Sequence, residues 1–437
     1  MLRKILSIFV IAVLLFNVGP FVTTQAQDEP PPNNPTKETL KLLQDYIQTT
    51  FSSSSIKGKT QSQPLAPYFS PSLSPFRLDK ADPDECYNGI GNPYSGTVGS
   101  NCTDSPYYPS SQPKVNQSYV WGLVQHGEDL FFGTAANPLC MVMGAFGASP
   151  IETDSYVCEF GSSQYAPLTG ASLGDWRPPK AFRYDTGGGG ETPLEAPASP
   201  EASVTFTNTL GLRSAGTISD TVFLAGPALN GKGVNIFAYD ADTGDFISST
   251  VLTDYNNIRR WVNVDNILYT GVAISTTLFQ GGAVLRYTGD PDVPGELFQF
   301  EEVGRIAGDA AELALHDGRL FVSTWPAGPF SRASLWMSPE VPVGGLPASA
   351  SLWTKVWQID QYDPDLVTAG VTGGGALASF DGYLYWGTMN VPFLSYMSHM
   401  MLYPPNPAWD DETMLAYQIA TLLGSHRAIK HLPWQGL

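Results

Sequence analysis

The chain is short of charge, and shortest of positive charge. Only 15 % of its 437 residues are charged, and 23 Lys and Arg stand against 41 Asp and Glu, a formal net charge of −18. That balance repels nucleic acid and anionic membranes, so neither is an expected partner. Cysteine is scarce: Cys86, Cys102, Cys140 and Cys158 form no C-x2–4-C knuckle, which argues against a zinc cluster. The five His include no H-E-x-x-H pair, and no G-x-S-x-G elbow occurs. The glycine run 187–190 leads into an acidic, Pro-rich segment instead of the Lys-bearing helix of a phosphate cradle. Long apolar runs are missing too, apart from ILSIFVIAVLLF at residues 5–16, which is short for a membrane span.

What is present begins with that run. Preceded by MLRK and followed by small residues ending at Ala26, it reads as a secretory signal peptide over residues 1–26. The expected location is outside the cytoplasm, extracellular or periplasmic. There the four cysteines suit two disulfides. Of the three pairings, the sequence-local one is expected, Cys86 with Cys102 and Cys140 with Cys158. Residues 27–114 read as an arm: Pro-rich QDEPPPNNP, a short helix opened by Asn34-Pro35, and a Ser/Pro-rich stretch without periodicity. Asn101 and Asn116 head glycosylation triplets.

From residue 115 onward one pattern recurs: LVQHGEDLFFGT, GTISDTVFLAGP, WVNVDNILYTGV, LALHDGRLFVST and LASFDGYLYWGT. Its anchors, Leu130, Phe223, Leu268, Leu320 and Leu384, lie 93, 45, 52 and 64 residues apart. Asp-Gly or Asp-Asn between short β-rich runs predicts a tight hairpin in each copy. A third strand is expected at KAFRYD, NIFAYD, AVLRYT, SLWMSP and RAIKHL, and a fourth at LFQFEEVGRI and LWTKVWQID. Glycine (43), proline (36) and aromatics (12 %) are plentiful, which suits a turn-rich all-β chain.

Repeats of about 40 to 50 residues with four strands each belong to propeller blades. Over residues 115–437 the chain resembles β-propeller proteins in general. It lacks the blade-terminal Trp-Asp of WD40 repeats and a double-Gly kelch pattern. The expected architecture is all-β, with five or else six four-stranded blades, an N-terminal arm, and short helical insertions in the first and last blades. The last blade has no room for its outer strand before residue 437. A strand from residues 60–118 would complete it, or further blades are missing.

Propeller inner strands line the axis, which is where ligands sit. The residues just before each hairpin are therefore the candidate site: Trp121 and Gln125, Arg259, Arg260 and Trp261, and Glu312. Arg259–Arg260 would grip a carboxylate or sulfate, and tryptophans stack on sugars. The same charges also suit a structural ion pair between blades. Asp240 to Asp245 (DADTGD) has calcium-like spacing but no closing Glu, Leu252 falling near that place, so turn chemistry is the preferred explanation and no cofactor or metal is expected. Three functions follow: a secreted binder of a glycan, peptide or cell-envelope component; an extracellular polysaccharide hydrolase or lyase using Glu312; or a structural domain of a surface assembly. Glycosidic hydrolysis needs two placed carboxylates and no second one is evident, so no residue is assigned a catalytic role.

Overall fold

A computed structural model describes residues 77–86, 113–138, 176–275, 280–293, 295–327, 331–348, 352–390 and 392–410, with Met414 and Tyr417. Two compact units divide them. The larger takes in residues 79–364 and 372–389, the smaller residues 77–78, 365–371 and those from 390 on.

The larger unit is a β-propeller. Its first sheet holds β3 (Tyr119–His126), β4 (Asp129–Ala135), β5 (Ala181–Asp185) and β6 (Gly190–Pro193) in that order, all antiparallel. A small ribbon of β1 (Glu85–Cys86) and β2 (Pro113–Lys114) precedes it. The second sheet is β7 (Ser214–Ile218) to β10 (Phe246–Leu252), with β8 (Thr221–Pro227) and β9 (Val234–Asp240) between. The third runs β11 (Asn257–Val264), β12 (Ile267–Ser275), β13 (Gln280–Tyr287), β14 (Phe300–Ile306). The fourth runs β15 (Asp309–His316), β16 (Arg319–Trp325), β17 (Ser334–Glu340), β18 (Thr354–Gln358). A fifth sheet shows two strands, β19 (Thr372–Phe380) and β20 (Tyr383–Asn390). The first strands lie side by side, β3 by β7, β7 by β11, β11 by β15 and β15 by β19, which puts them innermost.

The turn residues explain the hairpins. Asp265-Asn266, Asp317-Gly318 and Asp381-Gly382 all take positive φ at both positions, the primed turn whose twist matches paired strands. Gly127 and Ser219 do so at the first position only. All five anchors fall on second strands, and four of the five expected third strands are β5, β9, β13 and β17. RAIKHL, the helix expected after Asn34, and the disulfide partners Cys102, Cys140 and Cys158 lie outside the described residues, and of Cys86 only the backbone is described.

Apolar faces of neighbouring blades make the core. Phe131, Leu212, Val222 and Phe237 join the first two blades; Phe223, Ile236, Ile258, Trp261 and Leu268 the second and third; Tyr269, Val284, Leu313 and Val322 the third and fourth; Phe321, Leu335 and Leu377 the fourth and fifth. His126 and His316 clasp these seams, their Nδ1 atoms lying 3.1 Å from Thr217 Oγ1 and 3.0 Å from Ser379 Oγ on the next inner strand. Between the first two blades α1 (Pro200–Thr207) starts on Ser199, whose hydroxyl accepts from the Ala202 amide. After the fourth blade comes the single turn α2 (Ile359–Tyr362). The smaller unit holds α3 (Leu366–Val371) and α4 (Pro392–Leu402), where buried His399 meets the Tyr417 hydroxyl at 2.7 Å. The stretch FLSYMSHMML, which sequence leaves open between helix and strand, is helical.

Candidate functional site

Three inner strands carry a β-bulge at the same depth. The pairing of β3 with β4 slips between Val120 and Gly122, that of β11 with β12 between Ile258 and Trp261, and that of β15 with β16 between Ala310 and Glu312. In each blade the interruption falls nine residues ahead of the hairpin anchor, at Trp121, Arg259 and Ala311. Bulges re-aim side chains and leave one residue unpaired. Here they deliver Trp121, Arg259, Arg260 and Glu312 to one end of the inner strands.

The second blade contributes a residue that sequence reasoning passed over. Arg213, immediately before β7, is only 9 % exposed. Its guanidinium lies over Trp121, 4.8 Å from the ring centroid, and donates to Asn257 Oδ1 at 2.9 Å. Arg259 stacks on Trp325 at 4.1 Å. Trp325, 4 % exposed, donates its Nε1 hydrogen to the Gly374 carbonyl at 2.7 Å. Glycine makes room for both rings: a Cβ on Gly211 would come within 2.7 Å of Trp121, and one on Gly373 within 2.9 Å of Trp325. The sequence signal for Trp325 was present. Five residues after the anchor, the first three blades have Ala135, Ala228 and Ala273, and the fourth has this tryptophan.

The electrostatics are those of an under-neutralised cationic site. Among the described residues, Arg213 and Arg259 each have a buried Nε without a partner, and neither has a carboxylate within ion-pair distance. Elsewhere Arg183, Arg286 and Arg305 pair with Asp129, Glu301 and Glu302. Burial lowers the pKa of Arg213, as does the charge of Arg259, against Asp309, Tyr119 and Glu312. Burial also brings Arg259 down to about 10, so it stays protonated at neutral pH. Glu312 titrates above the usual carboxylate range because burial outweighs the pull of Arg260, Arg259 and Arg213. It forms no ion pair with them, so the close structural pair that the sequence also suits is not made. Asp309 is 1 % exposed and belongs to the wall rather than the opening.

One expectation is corrected, and one sequence triplet is accounted for. Trp261 is not at the opening: it is 5 % exposed, stacked on Phe223 at 5.8 Å and packed against Gly216, because the bulge turns it into the seam between the second and third blades. Asn116 is buried and accepts from Asn137 Nδ2 at 2.6 Å, which leaves its amide no room for a glycan. DADTGD is a turn between β9 and β10, in which Asp240 Oδ1 accepts from the Asp242 and Thr243 amides and the Thr243 hydroxyl. Those bonds hold the Asp240 carboxyl below its ordinary range. An outer crevice of about 460 Å³, lined by Arg183, Asp185, Glu195 and Asp245, lies away from the axis. Asp185 and Glu195 spend oxygens on backbone amides there, and Arg183 on Asp129 and the Asp242 carbonyl, so its polar groups are structural.

No family model and no curated protein matches the sequence. Among solved structures, the chain is similar to an exo-β-1,3-galactanase from Phanerochaete chrysosporium, with 10 % identity and a TM-score of 0.36, over 63 % of this chain and 56 % of that one. An α-L-arabinofuranosidase from Clostridium thermocellum shows 12 % identity and a TM-score of 0.32 over 62 % and 81 %. The β-propeller domain of the trilobed protease from Pyrococcus furiosus shows 9 % and 0.27 over 63 % and 79 %. The chain thus spans little more than half of the galactanase, and the propeller architecture rests on the sheets described above.

Proposed function

We propose that the protein is a secreted binding propeller whose axial opening takes a glycan, with Arg213, Arg259, Arg260 and Glu312 as the contacting groups. One observation carries the reading: inner strands of three blades are bulged at one level, and the arginines and Glu312 near that level have no ionic partner among the described residues. An unpaired buried guanidinium costs stability, and a chain keeps such a group where a ligand completes it. Binding fits better than hydrolysis. Among the described inner-strand residues the one acid beside Glu312 is Asp309, which is 1 % exposed and so poorly placed for the second carboxylate that hydrolysis needs.

Glycan-array binding of the purified chain tests this, followed by analysis of each bound glycan for new reducing or unsaturated ends. Binding without new ends is expected. New ends that disappear in Glu312→Gln would establish the hydrolase or lyase instead. A failure to bind any glycan would remove the reading.

A further inference from the structure

We infer that the axial site selects an acidic glycan, holding a carboxylate or sulfate group of a sugar between Arg213 and Arg259. This rests on the glycan reading above and adds the ligand's charge. The indoles at the opening are already occupied: Arg213 lies over Trp121 and Arg259 over Trp325. Gly211 packs on the first ring and Gly373 on the second, and Trp325 is 4 % exposed. Arg213 thus covers a face of Trp121 and Trp325 is buried, so stacking on an indole, the usual way a neutral pyranose is gripped, is obstructed at both rings. What the opening presents is guanidinium N–H groups. Arg213 spends one on Asn257 and has a buried Nε unspent, and Arg259 makes no side-chain hydrogen bond at all among the described residues. Exposed Arg260 adds a third cation from the same bulge.

The charge count points the same way. Among the described residues, three arginines face Glu312 and buried Asp309, so cations outnumber carboxylates there. An oxyanion satisfies the forked donors, supplies the missing charge and requires no rearrangement of the stacked pairs. The chain as a whole is strongly acidic, so a long polyanion is repelled beyond this opening. Short acidic segments are the fitting ligands.

Isothermal titration with trigalacturonate, its methyl ester, dextran sulfate, dextran and inorganic sulfate tests the inference on the full secreted chain. The acid trimer is expected to bind about 10-fold or more tighter than its ester, the worth of one charge-assisted hydrogen bond in a buried site. Arg259→Gln should remove that preference, and Arg259→Lys, which keeps charge without the fork, should retain part of it. Equal melting temperatures of these variants and wild type exclude unfolding as the cause. Preference for dextran sulfate over dextran, without binding of trigalacturonate, assigns the group as sulfate. Equal binding of acid and ester, or an Arg259→Gln variant that keeps the preference, overturns the inference and leaves the glycan reading standing. Arg259-dependent binding of inorganic sulfate with no glycan bound overturns the glycan reading and leaves an anion pocket. Triglutamate binding as tightly as trigalacturonate overturns the sugar as the class.

Discussion

Replacing Arg259 by methionine should make the free protein more stable and its anion complex less so. Burial takes the guanidinium from the usual arginine range down to about 10, and at about 1.4 kcal/mol per unit that is a penalty of about 3 kcal/mol. For a base whose pKa is lowered by folding, the penalty is fully present below the folded value and fades only as pH rises from about 10 toward the usual arginine range, so it applies in full at neutral pH. Against it stands the stacking on Trp325, worth about 2 kcal/mol when desolvated. Methionine keeps the apolar stem against the ring and has no charge to desolvate. The net gain is about 1 kcal/mol, a rise of about 2 °C in melting temperature for a chain of this size. A saturating anion should reverse the order, because at 100 times its dissociation constant a ligand stabilises the native state by about 2.7 kcal/mol and the variant has lost the site. Calorimetry of both proteins with and without 0.1 M sulfate, at matched ionic strength, reads all four numbers. A variant that melts lower than wild type in the absence of anion would show that the guanidinium is already satisfied within the protein, and the argument for a ligand would fail.

Two more perturbations test the same site. Glu312 has a raised pKa, so folding binds a proton there and stability falls as pH rises from the usual carboxylate range through the folded value. Glu312→Gln should therefore stabilise the protein at pH 7 and change nothing below about pH 4, where both states are protonated; a loss at pH 7 in urea titrations would mean that attraction to the arginines outweighs burial. Gly373→Ala places a methyl 2.9 Å from the Trp325 ring and should cost about 1–3 kcal/mol by overpacking while weakening anion binding through the displaced Arg259. Unchanged calorimetric affinity in that variant would show that the stack does not position the arginine.

The fold was legible because it is local and repeated. Asp317-Gly318 and Asp381-Gly382 announce primed turns, and anchors such as Phe223 and Leu268 repeat at blade spacing. The site was legible in part, since residues just before a hairpin in a propeller have to lie near the axis. Trp121, Arg259, Arg260 and Glu312 were named as candidates that way, and their strands do lie innermost. Trp261 was misplaced for a physical reason: a bulge adds one residue and shifts the inward and outward faces by one, and nothing in NIRRWVNV distinguishes a bulged strand from a regular one. Arg213 was missed because it precedes β7 instead of belonging to it, and its burial depends on Trp121 from the neighbouring blade and Asn257 from the next, contacts between residues 44 or more apart.

That bulge also separates core from site in a way that can be cut. Ile258 and Trp261 are three residues apart, an odd spacing that in a regular strand points side chains to opposite faces, yet both are buried in one cluster with Phe223 and Leu268. The extra residue restores their common face and gives the chain two arginines at the axis where an unbroken ladder has room for one residue. Deleting Arg260 should therefore leave a regular strand in which Ile258 and Trp261 still share the seam, with cooperative unfolding retained and anion binding lost. Deleting Asn263, two residues on and in the paired part of the strand, shifts the register between Trp261 and the Asp265-Asn266 turn and should abolish folding, because a one-residue slip moves buried side chains to the other face. Circular dichroism and thermal melts of the two deletions decide it. If both fold alike, or the Arg260 deletion alone is unfolded, the bulge holds the core together and the site is its by-product.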